Sequence, residues 1–301
     1  MPDAAPVSRA AVVVNPTKLD DQETFRKSVR RVMEDHGWDE PLWLETTPED
    51  PGRGQAESAV SAGVGLVLAC GGDGTVTACA EGVADTGVPL AIIPMGTGNL
   101  LARNIGLPTG LDEALAVALD GVQQPIDAGR VNGTLFVVMA GLGLDAEMLR
   151  GASDPLKKRL GWFAYAISAA RHLGDRPVRV TVSADGGRRR RMRASTLVVG
   201  NVGWLRGGLP LLPDARPDDG MLDAVVLIAG GPARWLAVAA AIVLRRQAHG
   251  KIYRVKFTEL QVWLDHEQAW ELDGELMGSS RQLTVVAQPG ALLLRMPPES
   301  A

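Results

Sequence analysis

The chain predicts two unlike domains in series: an α/β nucleotide-binding type of domain with a parallel sheet over residues 1–122, then an antiparallel β-sandwich over residues 123–301. Three observations lead there. Its 301 residues suit two domains at roughly 100–200 residues each. Apolar runs alternate with segments of helical period up to residue 120, the order that gives parallel strands covered by helices. From residue 122 the rhythm changes to short β-like runs, the pattern of an antiparallel sandwich.

The first half reads in order. "RAAVVVN" (9–15) is a buried strand, and a helix follows with Phe25, Val29, Val32, Met33 and His36 on one face. "PLWLET" (41–46) is the second strand and "GRGQAESAVSAG" (52–63) a helix. "VGLVLAC" (64–70) is the third strand, and Val76, Ala80 and Val83 align on the helix after it. "VPLAIIP" (88–94) is the fourth strand, with helical segments at 98–105 and 111–120. In the second half "DAGRVNG" (127–133), "LFVVMAG" (135–141), "RPVRVTVSADGG" (176–187), "ASTLVVGN" (194–201) and "LDAVVLI" (222–228) read as strands, with more after 252. Asp185-Gly186 suits a tight hairpin turn. Helices are expected at 155–173 and 232–247.

Composition narrows the class. Hydrophobic residues at 46% and charged residues at 22% suit a globular protein with a large core. A net charge of −4 sets up no basic field toward nucleic acid. Positive charge is local, in "KKR" (157–159) and "RRRRMR" (188–193), the latter expected as a solvated strand face, with a membrane contact as the lesser alternative. Two cysteines, Cys70 and Cys79, form no disulfide framework and no zinc pattern, which points to a reducing cytoplasm. The longest apolar run, "WLAVAAAIVL" (235–244), is half a membrane span, which leaves peripheral attachment as the expected mode of membrane contact.

Two loops concentrate small residues where strands become helices. In "GGDGT", Gly71, Gly72, Asp73, Gly74 and Thr75 would turn backbone N–H groups toward a phosphate, with the helix N-terminus adding positive potential. Asp73 would add a carboxylate for magnesium or a nucleotide hydroxyl; the plainer alternative is a βα turn with Asp as a cap. In "PMGTGN", Gly96, Thr97, Gly98 and Asn99 form a second such loop after the next strand. Ligands of open α/β sheets bind at the carboxyl ends of strands, so the two loops are expected to face one another. Asp273-Gly274-Glu275 reads on local grounds as a hairpin turn with an exposed acid. "PDARPDDG" (213–220) reads either as a solvated loop or as an oxygen-rich site for a hard cation.

Taken in order, GGDGT and PMGTGN, then "GLGLDAEM" (141–148), "KKRLGWFAYAISAARHL" (157–173), "GGLPLLPDARPDDGMLD" (207–223) and "ELDGE" (271–275), resemble the diacylglycerol kinase catalytic domain family, which includes bacterial lipid kinases and sphingosine kinases. The resemblance implies ATP bound at GGDGT and GTGN, with Asn15 of "VVNPT" and a threonine at 46–47, Thr47, also lining the nucleotide pocket. It implies Glu275 as general base, with Asp73 part of the catalytic apparatus, and magnesium on the phosphates. It also implies a structural magnesium held by Asp219 and by backbone carbonyls at Arg216 and Met221. A membrane lipid is the expected acceptor, with diacylglycerol the default, and Lys157, Lys158 and Arg159 beside Trp162, Phe163 and Tyr165 read either as a contact for an anionic membrane surface or as the charged start of a core helix. Two positions depart from the family pattern: Leu100 stands where bacterial lipid kinases often carry Asp, and "NPTKLDD" lacks the usual glycine after the Pro-Thr pair. The rival functions are a soluble metabolite kinase similar to NAD kinase and a non-catalytic lipid or nucleotide sensor.

Overall fold

The computed structural model describes residues 9–142, 178–205, 209–227 and 252–298. The expected helices at 155–173 and 232–247, and the basic run at 157–159, lie outside the described residues. The chain divides into two compact units, one of residues up to Ile126 plus Gly290 onward, the other Asp127–Pro289.

The first unit runs β1 (Ala10–Val14), a 3-10 turn (Pro16–Lys18), α1 (Gln22–Asp35), β2 (Leu42–Glu45), α2 (Arg53–Ser61), β3 (Leu66–Gly71), α3 (Asp73–Val83), β4 (Leu90–Pro94), α4 (Leu100–Asn104) and α5 (Leu111–Asp120). The four strands are parallel in the order β2-β1-β3-β4. β1 and β3 are buried at every residue. Their unbroken apolar runs follow from helices covering both faces of a parallel sheet. Asp21 starts α1 by accepting the Glu23 and Thr24 N–H groups, and Phe25, Val29 and Met33 bury into the core. His36 ends that helix instead of packing on its apolar face, with Nδ1 2.7 Å from the Val32 carbonyl and Nε2 3.0 Å from Asp120. From β1 the chain goes to β2 on one side and β3 lies on the other, so strand order reverses there. The carboxyl ends of β1 and β3 flank that switch point, where open α/β sheets take their ligands.

The second unit contains the end of β5 (Val122–Val131), then β6 (Thr134–Phe136), β7 (Met139–Leu142), β8 (Val178–Ala184), β9 (Arg190–Ala194), β10 (Thr196–Gly200), β11 (Trp204–Leu205), β12 (Leu209–Pro210), β13 (Leu222–Leu227), β14 (Ile252–Phe257), β15 (Glu259–Leu272) and the first part of β16 (Glu275–Met296). Pairing is antiparallel in the order β14-β13-β10-β7-β15-β16. On its edge away from β16, β15 serves two partners. Leu260–Leu264 pair with β8, Trp270–Leu272 pair with β7, and a register irregularity between Trp263 and Gln268 separates them. Phe136, Val182, Val199, Val226, Phe257 and Leu272 join the core that these strands enclose. Asp185-Gly186 forms the β8–β9 turn with φ of 49° and 67°, and Asp273-Gly274 the β15–β16 turn with φ of 48° and 91°. Both pairs are left-handed, as a two-residue hairpin turn requires.

The sequence pattern draws a single boundary at 122/123, whereas contacts divide the chain at 126/127 and again at 289/290. The difference lies in two long strands. β5 begins in the first unit, and β16 returns to it, where Leu294 pairs with Leu90 of β4 and Arg295 Nη1 donates to the Gly121 carbonyl at 2.7 Å. Strand length alone does not reveal such a return.

Candidate functional site

The two small-residue loops meet as expected, and they meet backbone to backbone. A Cβ on Gly96 would lie 2.7 Å from Gly72 Cα. The Met95 N–H donates to the Gly71 carbonyl at 2.8 Å. A Cβ on Gly71 would come within 2.6 Å of the Thr75 side chain, and one on Gly98 would strike the Asp73 carboxylate. Gly71, Gly96 and Gly98 are therefore required by the packing of the loops themselves.

Asp73 is neither a cap of its own helix nor a free acid. Its two carboxylate oxygens accept the N–H groups of Asn99 and Leu100, at 3.0 and 2.5 Å, at the start of α4. Asn99, at φ 48°, folds its side chain back onto Gly96, accepting from the Gly96 N–H at 2.9 Å and donating to the Gly96 carbonyl at 3.0 Å. Arg103, which the motif reading overlooked, donates from Nε to the Gly98 carbonyl at 3.0 Å. It is exposed on α4 beside this loop, and only its spacing five residues after Gly98 could have marked it.

The consequence for charge is asymmetric. The first amides of α4 already face a carboxylate. The N-terminus of α3 has Gly72 as N-cap and no side-chain cap. That start lies at the carboxyl end of β3, and the carboxylate in its first turn, Asp73, is bonded to the α4 amides instead.

Asn15 ends β1 and accepts from the Thr17 N–H at 3.0 Å and the Thr17 hydroxyl at 2.7 Å, fixing the 3-10 turn. Its own N–H donates to the Cys70 carbonyl at 3.0 Å, which sets it beside the end of β3. Of the two candidate threonines, Thr46 is buried, and its N–H donates to the Val14 carbonyl. Thr47 is exposed and holds the turn to Asp50. Cys70 and Cys79 are both buried free thiols, their ionisation pushed up by burial.

In the second unit the DGE stretch is the hairpin turn that its local sequence suggests, with an addition the sequence does not show. The Asp273 carboxylate accepts three consecutive backbone N–H groups, from Val137, Val138 and Met139, at 2.8–2.9 Å. Glu275, two residues on, opens β16 opposite Leu272 and is exposed. Glu271 lies against Gly141, where an added Cβ would sit 2.6 Å from Oε1. Its Oε2 is buried without a hydrogen-bond partner among the described residues. Burial, helped by the nearby Asp273 charge, pushes the Glu271 carboxyl up to about 7.

The acidic loop at 213–220 is built around a lysine. Lys256 Nζ lies 2.6 Å from Asp219 Oδ2 and 3.6 Å from Asp223 Oδ2. Asp219 Oδ1 accepts the Met221 N–H at 3.1 Å, and Arg216 Nε stands 3.5 Å from Asp218. Asp127 anchors the loop by accepting the Gly220 N–H at 2.6 Å. Burial raises the Asp223 carboxyl, and the Lys256 charge pulls against that shift. Among the described residues no group of three His, Cys, Asp or Glu side chains is placed to hold a metal. Of the expected ligand set of Arg216, Asp219 and Met221, the Asp219 carboxylate is engaged by Lys256 of β14, whose ammonium group stands between Asp219 and Asp223. Only the register of β14 on β13, with Asp223 opposite Lys256, brings that lysine there.

Comparison with known proteins follows the two units. Residues 9–131 match the diacylglycerol kinase catalytic domain, and residues 137–296 match the YegS C-terminal NAD kinase beta sandwich-like domain. The chain is 31% identical over 297 residues to the diacylglycerol kinase of Bacillus subtilis (strain 168), covering 93% of this chain and 96% of that protein. It is 35% identical over 270 residues to a Pseudomonas aeruginosa protein named "Probable lipid kinase YegS-like", covering 85% of each. Among solved structures, a diacylglycerol kinase from Bacillus anthracis superposes with a TM-score of 0.76 at 21% identity, covering 98% of both chains. An NAD kinase from Archaeoglobus fulgidus in complex with ATP is more distant, with a TM-score of 0.54 at 14% identity over 97% of this chain and 94% of that one. The chain belongs to the diacylglycerol kinase catalytic domain family, and carries the C-terminal domain of its YegS-like lipid kinases.

Proposed function

We propose that the protein is an ATP-dependent lipid kinase that moves the γ-phosphoryl group of ATP to a hydroxyl of a membrane lipid, diacylglycerol by default. One observation carries most of the weight: the N-terminus of α3 is left without a side-chain cap at the switch point of the sheet, while Asp73 ties the neighbouring loop in place. Gly72 and Gly74, Thr75 and Thr97 then approach the phosphates, and Asn15 and Thr47 border the nucleotide. Magnesium on those phosphates belongs to the proposal as part of the substrate, and no step here runs through a metal held by the 213–220 loop.

The exposed acid of the DGE turn, Glu275, takes the general-base role. Its carboxylate accepts the hydroxyl proton as the lipid oxygen bonds to the γ-phosphorus and the bond to the β-phosphate oxygen breaks, releasing ADP. Phosphoryl transfer depends mainly on positioning and charge neutralisation, so one well-placed carboxylate is sufficient on the acceptor side. The catalysis belongs at a cytoplasmic membrane surface, reached peripherally. Among the described residues no helix is long and apolar enough to cross a membrane.

The test is incubation with labelled ATP and a total lipid extract, followed by identification of the product. Label in phosphatidic acid is the expected result. Label in another lipid changes the acceptor. Label in NAD alone, or in nothing across a broad lipid panel, overturns the proposal in favour of a metabolite kinase or a sensor.

A further inference from the structure

The β8–β9 hairpin concentrates positive charge for which the fold has no use. Arg188, Arg189, Arg190, Arg191 and Arg193 are exposed, and so is Arg179, directly opposite Arg193. None of the six forms an ion pair with a carboxylate among the described residues. The hairpin is already specified by its Asp185-Gly186 turn and by Val180, Val182 and Met192 against the core. Like charges directly opposite, as at Arg179 and Arg193, weaken a strand pair.

Two of the guanidinium groups are pre-oriented. Arg189 sits 4.4 Å over the Trp263 ring and Arg190 5.2 Å over the Tyr253 ring. Stacking fixes the plane of a guanidinium and leaves its N–H fork free to take phosphate oxygens in pairs. Arg191, Thr181 and Trp263 share one row across β9, β8 and β15, so Arg179, Arg189, Arg191 and Arg193 share a face with an amphipathic indole, while Arg190 alternates to the face of Met192. β9 has no strand partner but β8 among the described residues, so this face continues to the sheet edge. Without these six residues the formal charge of the chain would be −10 rather than −4. An anionic surface therefore attracts this hairpin against the negative net charge of the remainder, which favours approach by this face.

We infer that the β8–β9 hairpin docks the protein on an anionic lipid surface, with Arg179, Arg189, Arg191 and Arg193 binding lipid phosphates. The choice of a lipid surface over another polyanion rests on the proposed membrane-lipid substrate, but its test needs no catalysis. The protein and its Arg189→Gln, Arg191→Gln, Arg193→Gln triple variant are sedimented with phosphatidylcholine vesicles, with and without phosphatidylglycerol. At roughly fivefold per basic residue, the triple variant should bind anionic vesicles on the order of a hundredfold more weakly. Its melting temperature and its weak binding to neutral vesicles should match the parent. Lysine at the same three positions should recover only part of the binding, since it restores charge but not the forked donors, and added salt should release the parent protein. The inference is overturned if the glutamine variant binds anionic vesicles like the parent, if parent binding is insensitive to salt, or if an oligonucleotide is bound more tightly than the vesicles. Vesicle binding that survives while no lipid is phosphorylated would sink the proposed activity and leave the docking surface standing.

Discussion

Asp73 of the first unit and Asp273 of the second make an instructive pair. Both stand in motifs whose acids look catalytic in the sequence, GGDGT and DGE. Both spend their carboxylates on backbone N–H groups of a distant segment: Asp73 on Asn99 and Leu100, Asp273 on Val137, Val138 and Met139. What they leave behind differs. Asp73 quiets the start of α4, while α3, which it begins, has no side-chain cap. Asp273 pins a hairpin and leaves Glu275 as the exposed acid at its edge. The contrast is that the acid with the most contacts holds the backbone, and the exposed acid is the one that the proposed proton transfer uses.

The largest effect should come from testing that division directly. Glu275→Gln should lower turnover by roughly 10²–10⁴-fold, as loss of a positioned general base does, with ATP affinity and melting temperature close to the parent. A fall in ATP binding with an unaltered maximal rate would instead make Glu275 a nucleotide ligand.

The two aspartates should then separate by stability. Asp273→Ala leaves three backbone donors without their acceptor and should cost about 3 kcal/mol in denaturant unfolding, against about 2 kcal/mol for Asp73→Ala, which strands two. Asp73→Ala should also weaken ATP binding, because the Gly96–Asn99 loop loses its tie. Equal stability losses, or an Asp73→Ala protein with parental ATP affinity, would remove the asymmetry.

Glu271 sharpens the contrast through pH. Its folded value, about 7, lies above the ordinary 4.5. Between those values the folded state holds a proton that the unfolded state has lost, so stability falls as pH rises through that window and then levels off. The full difference is about 3 kcal/mol as an upper limit. Glu271→Gln should flatten that slope and raise the melting temperature at pH 8. An unchanged melting curve across pH 4.5–8 would show that the carboxyl reaches water.

The smallest effect is expected at the acidic loop. Lys256→Met removes a partly exposed ion pair worth about 1 kcal/mol and leaves Asp219 and Asp223 without their shared cation. Magnesium should then raise the melting temperature of the variant but not of the parent. An equal response in both would mean that the parent loop already takes a divalent ion.

Much of this was legible in the chain. The strand–helix alternation placed β1–β4 and α1–α5 within a few residues, because apolar runs and helical spacing are local consequences of burial. The pairing of GGDGT with PMGTGN was legible for the same reason, since consecutive parallel strands end on the same side of the sheet. The DG turns at 185 and 273 follow from backbone sterics that two residues settle between themselves.

What tertiary structure decided is where each side chain's charge is spent. Asp73 reaches residues 26 and 27 positions away, and Asp273 reaches back across more than 130. Lys256 meets Asp219 only through the β13–β14 register. The last strand's return to β4 likewise depends on pairing over 200 residues apart. Local sequence determines backbone conformation because its energetics lie within a few bonds. Hydrogen-bond and ion partners, by contrast, are chosen by whichever donors the finished fold brings within about 3 Å, and no motif encodes that distance.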